Sequence, residues 1–271
     1  MKISVIVPLY KGRCYIKDVT AMIGQNLAKL TSEYEVELIF VNDFPEEVIS
    51  EEDVANDLCP TKLIVNEVNR GIHFSRVAGL KEACGEYIMF FDQDDSISEN
   101  YLASQLETVK KNRGASVIVA NGIAQAPDWD KRLYRYYPMQ WTVKHMWFYT
   151  RFDCRIISPG QCLIKKEDIP QIWYEEIMTE NGADDYFLWL YMLSQGKRFA
   201  INRDVLYTHV FTANNTSLDN DKMHASVRQI LDIDEKHHFL PEKHRAYIEA
   251  RIRPDAKKNP LVTMMERINR K

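Results

Sequence analysis

Carboxylates gather at two places in this chain. The stretch YIMFFDQDDSISEN (87–100) sets Asp92, Asp94 and Asp95 directly behind an apolar run. Like charges so close repel, and two kinds of partner would relieve them. A helix start is one, because Ser96 and Glu99 have the spacing of a capping box and acids suit a helix N-terminus. A hard divalent cation is the other. The two are compatible, but capping needs one acid and not three. Asp92-Gln93-Asp94 offers carboxylates at alternate positions off a strand end, a pattern that can hold Mg²⁺ or Mn²⁺ and leave positions open for phosphate oxygens. The second gathering, Asp184-Asp185, opens GADDYFLWLYMLSQG, which reads as a helix apolar nearly all round and therefore buried, closed by Gly196. An acid at that mouth either complements the helix dipole or, desolvated, titrates high enough to act as a general base.

These groups need a frame. ISVIVPLY, VELIFVND and YIMFFD, with the weaker KLIVNE and the later ASVIVAN, are short Val/Ile/Phe-rich runs without period-2 alternation, as expected of strands buried on both faces of a parallel sheet. The spacers suit crossover helices: residues 14–29 carry Tyr15, Val19, Met22, Ile23 and Leu27 at helical spacing, and 72–84 would close on Gly85 as a C′ glycine. Alternating β and α predicts an open α/β sheet. The runs break at Pro8 and Tyr10, at Asn42 and Asp43, and at Asp92 to Asp95, so three strand ends deliver polar groups to one edge. Ligands of open α/β sheets bind there. No G-x-G-x-x-G follows the first strand and no P-loop is present, which disfavours those two nucleotide sites.

At 271 residues the chain suits one large α/β domain or two smaller ones. A net charge of −4 gives no reason to expect nucleic acid as a partner. Five cysteines, an odd number without C-x-x-C, argue for a reducing compartment and against structural zinc. The N-terminus reads as a strand and not a signal peptide. No apolar stretch approaches the ~18 residues of a membrane span. The expectation is a cytoplasmic protein. Residues 124–152 are crowded with Trp, Tyr, Phe and Arg, either as core aromatics under a long loop or as a sugar-stacking surface. From Lys243 onward Lys and Arg outnumber Asp and Glu. That segment is either a solvated helical tail or a peripheral contact with an anionic membrane surface, and liposome co-sedimentation with and without it separates the two.

Taken in order, the motifs resemble the family 2 glycosyltransferases, inverting enzymes of the GT-A fold. The resemblance covers roughly residues 1–215. ISVIVPLYKG resembles the first strand and its nucleotide-contacting turn, and ELIFVNDF the second strand with its uracil-contacting acid. NRGIHFSRVAGLKEACGEYIMFFDQDD resembles the long signature ending in the D-x-D metal motif. SPGQCLIKKEDI is similar to the acceptor-side strand, GADDYFLWL to the acid pair holding the catalytic base, and NNTS to the following loop. The departures are Asn42-Asp43-Phe44-Pro45 for Asp-Asp-Gly-Ser, Val77 for Asn, Asp184-Asp185 for Glu-Asp, and Thr212 where a histidine is common. The resemblance implies a mostly parallel sheet flanked by helices, with a nucleotide-sugar half (1–122), an acceptor half (123–215) and a helical, basic extension (216–271).

It also implies roles. Asp185, with Asp184 as fallback, would be the base that removes the acceptor hydroxyl proton in a single in-line displacement. Asp92 would face the ribose, and Asp94 or Asp95 would hold the metal. Asp43 would accept the N3–H of a uracil, unless it makes an Asx turn before Pro45. Tyr10 would pack on the nucleobase, with Pro8, Asn42 and Gln93 beside it. Arg70 or Arg76 would pair with diphosphate or base, each also readable as a solvated helix-face arginine. Gly71 would permit close approach of ligand or simply serve a turn. His209 is either a third metal ligand or a structural histidine. The expected reaction moves a sugar from a nucleoside diphosphate donor, with UDP foremost, to a hydroxyl of a glycan or lipid-linked acceptor in surface polysaccharide synthesis. A nucleotidyltransferase would need a Gly-rich, basic loop after the first strand. A catalytically dead nucleotide-sugar-binding module would fit the altered turn but not the intact acids.

Overall fold

The computed structural model describes residues 1–211 and 219–253. The expected loop NNTS, Thr212, the boundary at 215 and the last part of the basic tail lie outside them. Four strands build the first half of the sheet: β1 (Lys2–Leu9), β2 (Glu35–Asn42), β3 (Thr61–Val65) and β4 (Tyr87–Phe90). β1 lies between β2 and β4, and β3 is the edge; all of these pairings are parallel. The apolar runs are buried along β1, β2 and β4, whereas the edge strand β3 is only partly covered. The second half adds β5 (Ser96–Ile97), β6 (Val117–Ala126), β7 (Trp129–Arg132), β8 (Cys162–Lys165) and β9 (Phe199–Val210). The order is β3-β2-β1-β4-β8-β6-β9-β5, with β7 paired to β6. β8, β5 and β7 run antiparallel to their neighbours.

Helices cover both faces. Odd-numbered residues of β1 (Ile3, Val5, Val7) join a core with α1 (Ile16–Leu27) and α4 (Tyr101–Lys111). Ile6 points to the opposite core, shared with α3 (Ile72–Glu82) and α8 (Asp184–Ser194). The remaining helices are α2 (Glu51–Val54), α5 (Tyr137–Trp141), α6 (Met146–Phe152), α7 (Gln171–Glu175), α9 (Asn220–His237) and α10 (Glu242–Arg251). α9 and α10 contribute Val227, Ile230, Leu231 and Ile248 to the core of α8, so the described part of the basic segment is packed structure. Arg245 pairs there with Asp234 and Arg251 with Asp153.

Three local expectations are corrected. Ser96 and Glu99 do not form a capping box: Ser96–Ile97 is β5, paired with Thr208 and Tyr207, and the next helix begins at Tyr101 behind Asn100. Gly85 is not a left-handed C′ residue. It lies where a Cβ would sit 2.6 Å from the Ser4 backbone nitrogen, so its service is close approach to β1. Pro8 does not end β1 but is buried inside it, opposite Val41. Residues of its parity face β4, which has already ended at Phe90, so the missing N–H costs no ladder bond. Gly196, by contrast, follows α8 with φ 72, as its position predicted.

Candidate active site

Because β1, β2 and β4 are parallel, their carboxyl ends share one edge, and the polar residues that follow them meet there. The turn after β1 is stapled to the turn after β4. The Tyr10 N–H donates to Gln93 Oε1 (3.0 Å), and Gln93 Nε2 donates back to the Tyr10 carbonyl (3.1 Å). Gln93 comes so close to Gly12 that a Cβ there would overlap it. Tyr10 is 48% exposed and meets Phe44 edge to face at 5.2 Å, with the Lys11 ammonium near both rings.

After β2 the two candidate residues divide the work differently from the expectation. Asn42 makes the Asx turn, accepting the Phe44 N–H at 3.0 Å. The Asp43 carboxylate is buried and accepts the backbone N–H groups of Arg70 and Gly71 (2.8 Å each) and the Asn66 amide (2.7 Å). It therefore anchors the loop that begins α3. Gly71 occupies φ 85, where a side chain would be strained and a Cβ would press on Asn181 at 2.7 Å. Asn181 in turn accepts the Ile72 N–H. Arg70 is exposed, its guanidinium 4.0 Å over the Phe74 ring.

Arg76 is not an available phosphate ligand. It is buried, and donates to Asp184 Oδ2 (2.7 Å) and Asp92 Oδ1 (2.6 Å). Burial opposes its charge, but Asp184, Asp92 and Asp185 outweigh that and hold the guanidinium protonated. Asp92 also accepts from the Ser158 hydroxyl at 2.9 Å. Asp95 is the most enclosed of the cluster and accepts from the Tyr207 hydroxyl, from the Val210 N–H (2.8 Å) and from His209 Nδ1 (3.1 Å). Burial pushes the Asp95 carboxyl up. His209 is also raised: burial works against its charge, and the bond to Asp95 wins.

Asp94 is left over. No other described side chain bonds to its carboxylate, and burial, then Asp95, then Asp92 push it up to about 6. Among the described residues no three His, Cys, Asp or Glu side chains converge as a ready metal cage. Within the expected three-carboxylate cluster, Asp92 and Asp95 thus accept bonds from protein partners, and among the described residues Asp94 is left unpartnered beside their charge. A hard cation fits that arrangement, since Mg²⁺ is commonly held by one or two carboxylates with substrate phosphates and water.

The acid pair at the mouth of α8 is equally asymmetric. Asp184 is 2% exposed, bonded to Arg76 through its carboxylate and to the Trp173 indole N–H through its carbonyl (3.0 Å). Among the described residues Asp185 has no cationic partner, and its one hydrogen bond there is from the Tyr186 N–H (2.7 Å). Burial, followed by the charge of Asp184, pushes it up to about 8. Trp173 packs tilted against His73, whose ring is bonded to the Trp173 carbonyl and the Met178 N–H. Ser158, Asn66, Tyr207 and Asn181 are the site residues that spacing alone did not reveal. Ser158 and Asn66 sit in stretches already singled out, SPGQCLIKKEDI and KLIVNE, but neither carries a pattern that points at its acid partner, Asp92 for Ser158 and Asp43 for Asn66.

A parallel sheet whose carboxyl edge faces an unpaired acid at a helix mouth is the architecture of a GT-A glycosyltransferase. The chain belongs to glycosyl transferase family 2, whose family model matches residues 4–173, and it is accordingly a glycosyltransferase. The match ends before Asp184-Asp185, so the role of that pair rests on geometry. An uncharacterized glycosyltransferase of Bacillus subtilis, YwdF, is 26% identical over 263 residues, 92% of this chain and 89% of that protein. One from Haemophilus influenzae is 25% identical over 76% of each chain. The glucosyl-dolichyl phosphate glucuronosyltransferase of Haloferax volcanii is 29% identical over 51% of this chain and 42% of its own. Among solved structures, TarS 1–349 of S. aureus in complex with UDP superposes with a TM-score of 0.63 at 16% identity, over 93% of this chain and 70% of that one. A complex of the same fragment with UDP-GlcNAc gives 0.60.

Proposed function

We propose that this glycosyltransferase is inverting and uses a UDP-sugar, with Asp185 as the general base. The observation that carries the reading is the division between two adjacent acids. Asp184 is neutralised by Arg76, while Asp185 stands unpaired and half-buried with its proton affinity raised to about 8. The acceptor hydroxyl gives its proton to the Asp185 carboxylate as its oxygen attacks the anomeric carbon. The new C–O bond forms while the bond to the diphosphate breaks, and the electron pair leaves with the diphosphate. Asp94, with His209 at the rim of the same cluster, would hold Mg²⁺ or Mn²⁺. That cation, when bound, supplies positive charge to the departing diphosphate. Tyr10 offers the exposed ring for the base and Arg70 the accessible guanidinium for phosphate. The bound UDP of TarS supports the choice of nucleotide. The acceptor we propose is a hydroxyl of a glycan or lipid-linked glycan.

The test is Asp185→Asn. Transfer falls by at least about 10³-fold, at the upper part of what a positioned acid–base group contributes, while UDP binding measured by calorimetry keeps its affinity. Retention of most of the transferase activity would remove Asp185 from the role.

A further inference from the structure

A second concavity opens at the far edge of the sheet. It is a groove of about 550 Å³ at the starts of β6 and β9 and the C-terminal end of α8. Asp95 and His209 lie at the other end of β9. From Ala200 to His209 the strand advances roughly 30 Å at ~3.3 Å per residue, so the groove is no part of the donor crevice. Its lining carries Lys144, Lys197 and Arg198 and no acidic side chain. Lys197 is paired with Asp168, but among the described residues Lys144 and Arg198 have no acidic partner. Trp141 and Trp147 stand on the same wall, 40% and 44% exposed. His145 packs tilted against Trp141 with ring centroids 3.9 Å apart, and its Nε2 is buried without a hydrogen-bond partner among the described residues.

Two exposed indoles are costly in water unless something covers them, and their flat faces suit the C–H face of a pyranose. Two unspent cations ask for an anionic oxygen. We propose that this groove is a second carbohydrate site that binds a sugar unit carrying a negative charge, a uronate or a sugar phosphate, away from the chemistry. Resting on the glycosyltransferase reading, it narrows the acceptor class: the enzyme holds an anionic glycan at two places, so chain length adds to affinity by multivalency.

Full-length protein labelled at the tryptophan indoles is titrated with glucuronate, glucose 6-phosphate, glucose and inorganic phosphate while the ¹H–¹⁵N indole signals are followed. Saturable shifts confined to Trp141 and Trp147 are expected with both charged sugars, at least about tenfold tighter than with glucose. The Lys144→Glu/Arg198→Glu variant should lose that binding, keep its UDP affinity, and hydrolyse a UDP-sugar in the presence of Mg²⁺ or Mn²⁺ at the rate of the unmodified protein. Absence of a saturable shift overturns the proposal, as do equal responses to glucose or to inorganic phosphate alone. Absence of metal-dependent UDP-sugar hydrolysis in the unmodified protein would instead strike at the catalytic reading, leaving the groove result to stand or fall by itself.

Discussion

Arg76 lies close enough to Asp184 to satisfy its charge, and the same contact leaves Asp185 facing a negative neighbour in a half-buried place. The consequence for stability has a definite sign. An unfolded aspartate titrates near 3.9, whereas folded Asp185 titrates at about 8. Between those values the folded chain keeps a proton that the unfolded chain has lost, so the contribution of this residue to stability falls as pH rises through the window. Asp185→Asn removes the titration. Its melting temperature should match that of the unaltered protein near pH 4 and exceed it progressively toward pH 8, by about 2–4 °C for each kcal/mol released. Scanning calorimetry across that range checks it. A difference independent of pH would mean that Asp185 is already ionised in the fold. The residue types for this chemistry were legible in the sequence, since both carboxylate gatherings stand out. Which acid is spent and which is free was not, because Arg76 and Ser158 reach the acids only once distant segments are folded together.

At the scale of elements, Arg76 is a joint. It sits on α3 and ties the turn after β4, through Asp92, to the mouth of α8, through Asp184. Its planar fork places two separate nitrogens against two carboxylates in a fixed geometry, which the single nitrogen at the end of a lysine's flexible stem does not reproduce. Arg76→Lys should therefore keep the charge and lose one of the two contacts. The expected result is a kcat reduced by about 10²-fold, the cost of a misplacement of ~1 Å at a reacting centre, with UDP affinity changed less than about threefold. Steady-state kinetics beside calorimetric UDP binding separates the effects, and an unchanged kcat would show that the joint does not align the base. Strands β1, β2 and β4 and helices α1, α3 and α8 follow from apolar runs and their period. What misled was punctuation. Pro8 reads as a strand end, yet its imide nitrogen points past the end of β4, and Ser96 and Glu99 read as a cap, yet β9 recruits Ser96 as a strand. Both outcomes were decided by a neighbouring strand and not by the local sequence.

For the whole molecule the question is whether the segment after β9 is an appendage or part of the fold. α9 brings Val227, Ile230 and Leu231, and α10 brings Ile248, into the core that surrounds α8. α9 also holds the approach to the acid pair. Gln229 Oε1 accepts the N–H groups of Thr179 and Glu180 at 3.1 Å each, and Ser226 donates to the Glu180 carbonyl. The next residue along, Asn181, reaches the start of α3. The chain from 176 to 183 is thus fastened at one side by α9 and at the other by α3, and Asp184 and Asp185 follow it directly. Burying an aliphatic side chain contributes about 1.5–3 kcal/mol, so removing these four uncovers an amount comparable to the whole stability of a typical domain. A chain ending at Phe211 should lose cooperative thermal unfolding and bind a hydrophobic dye, while one ending at Arg253 keeps a sharp transition and full UDP affinity. A sharp transition in the shorter chain would mean that α9 and α10 are dispensable to the core, and that the acid pair is held in place by α3 and Arg76 alone.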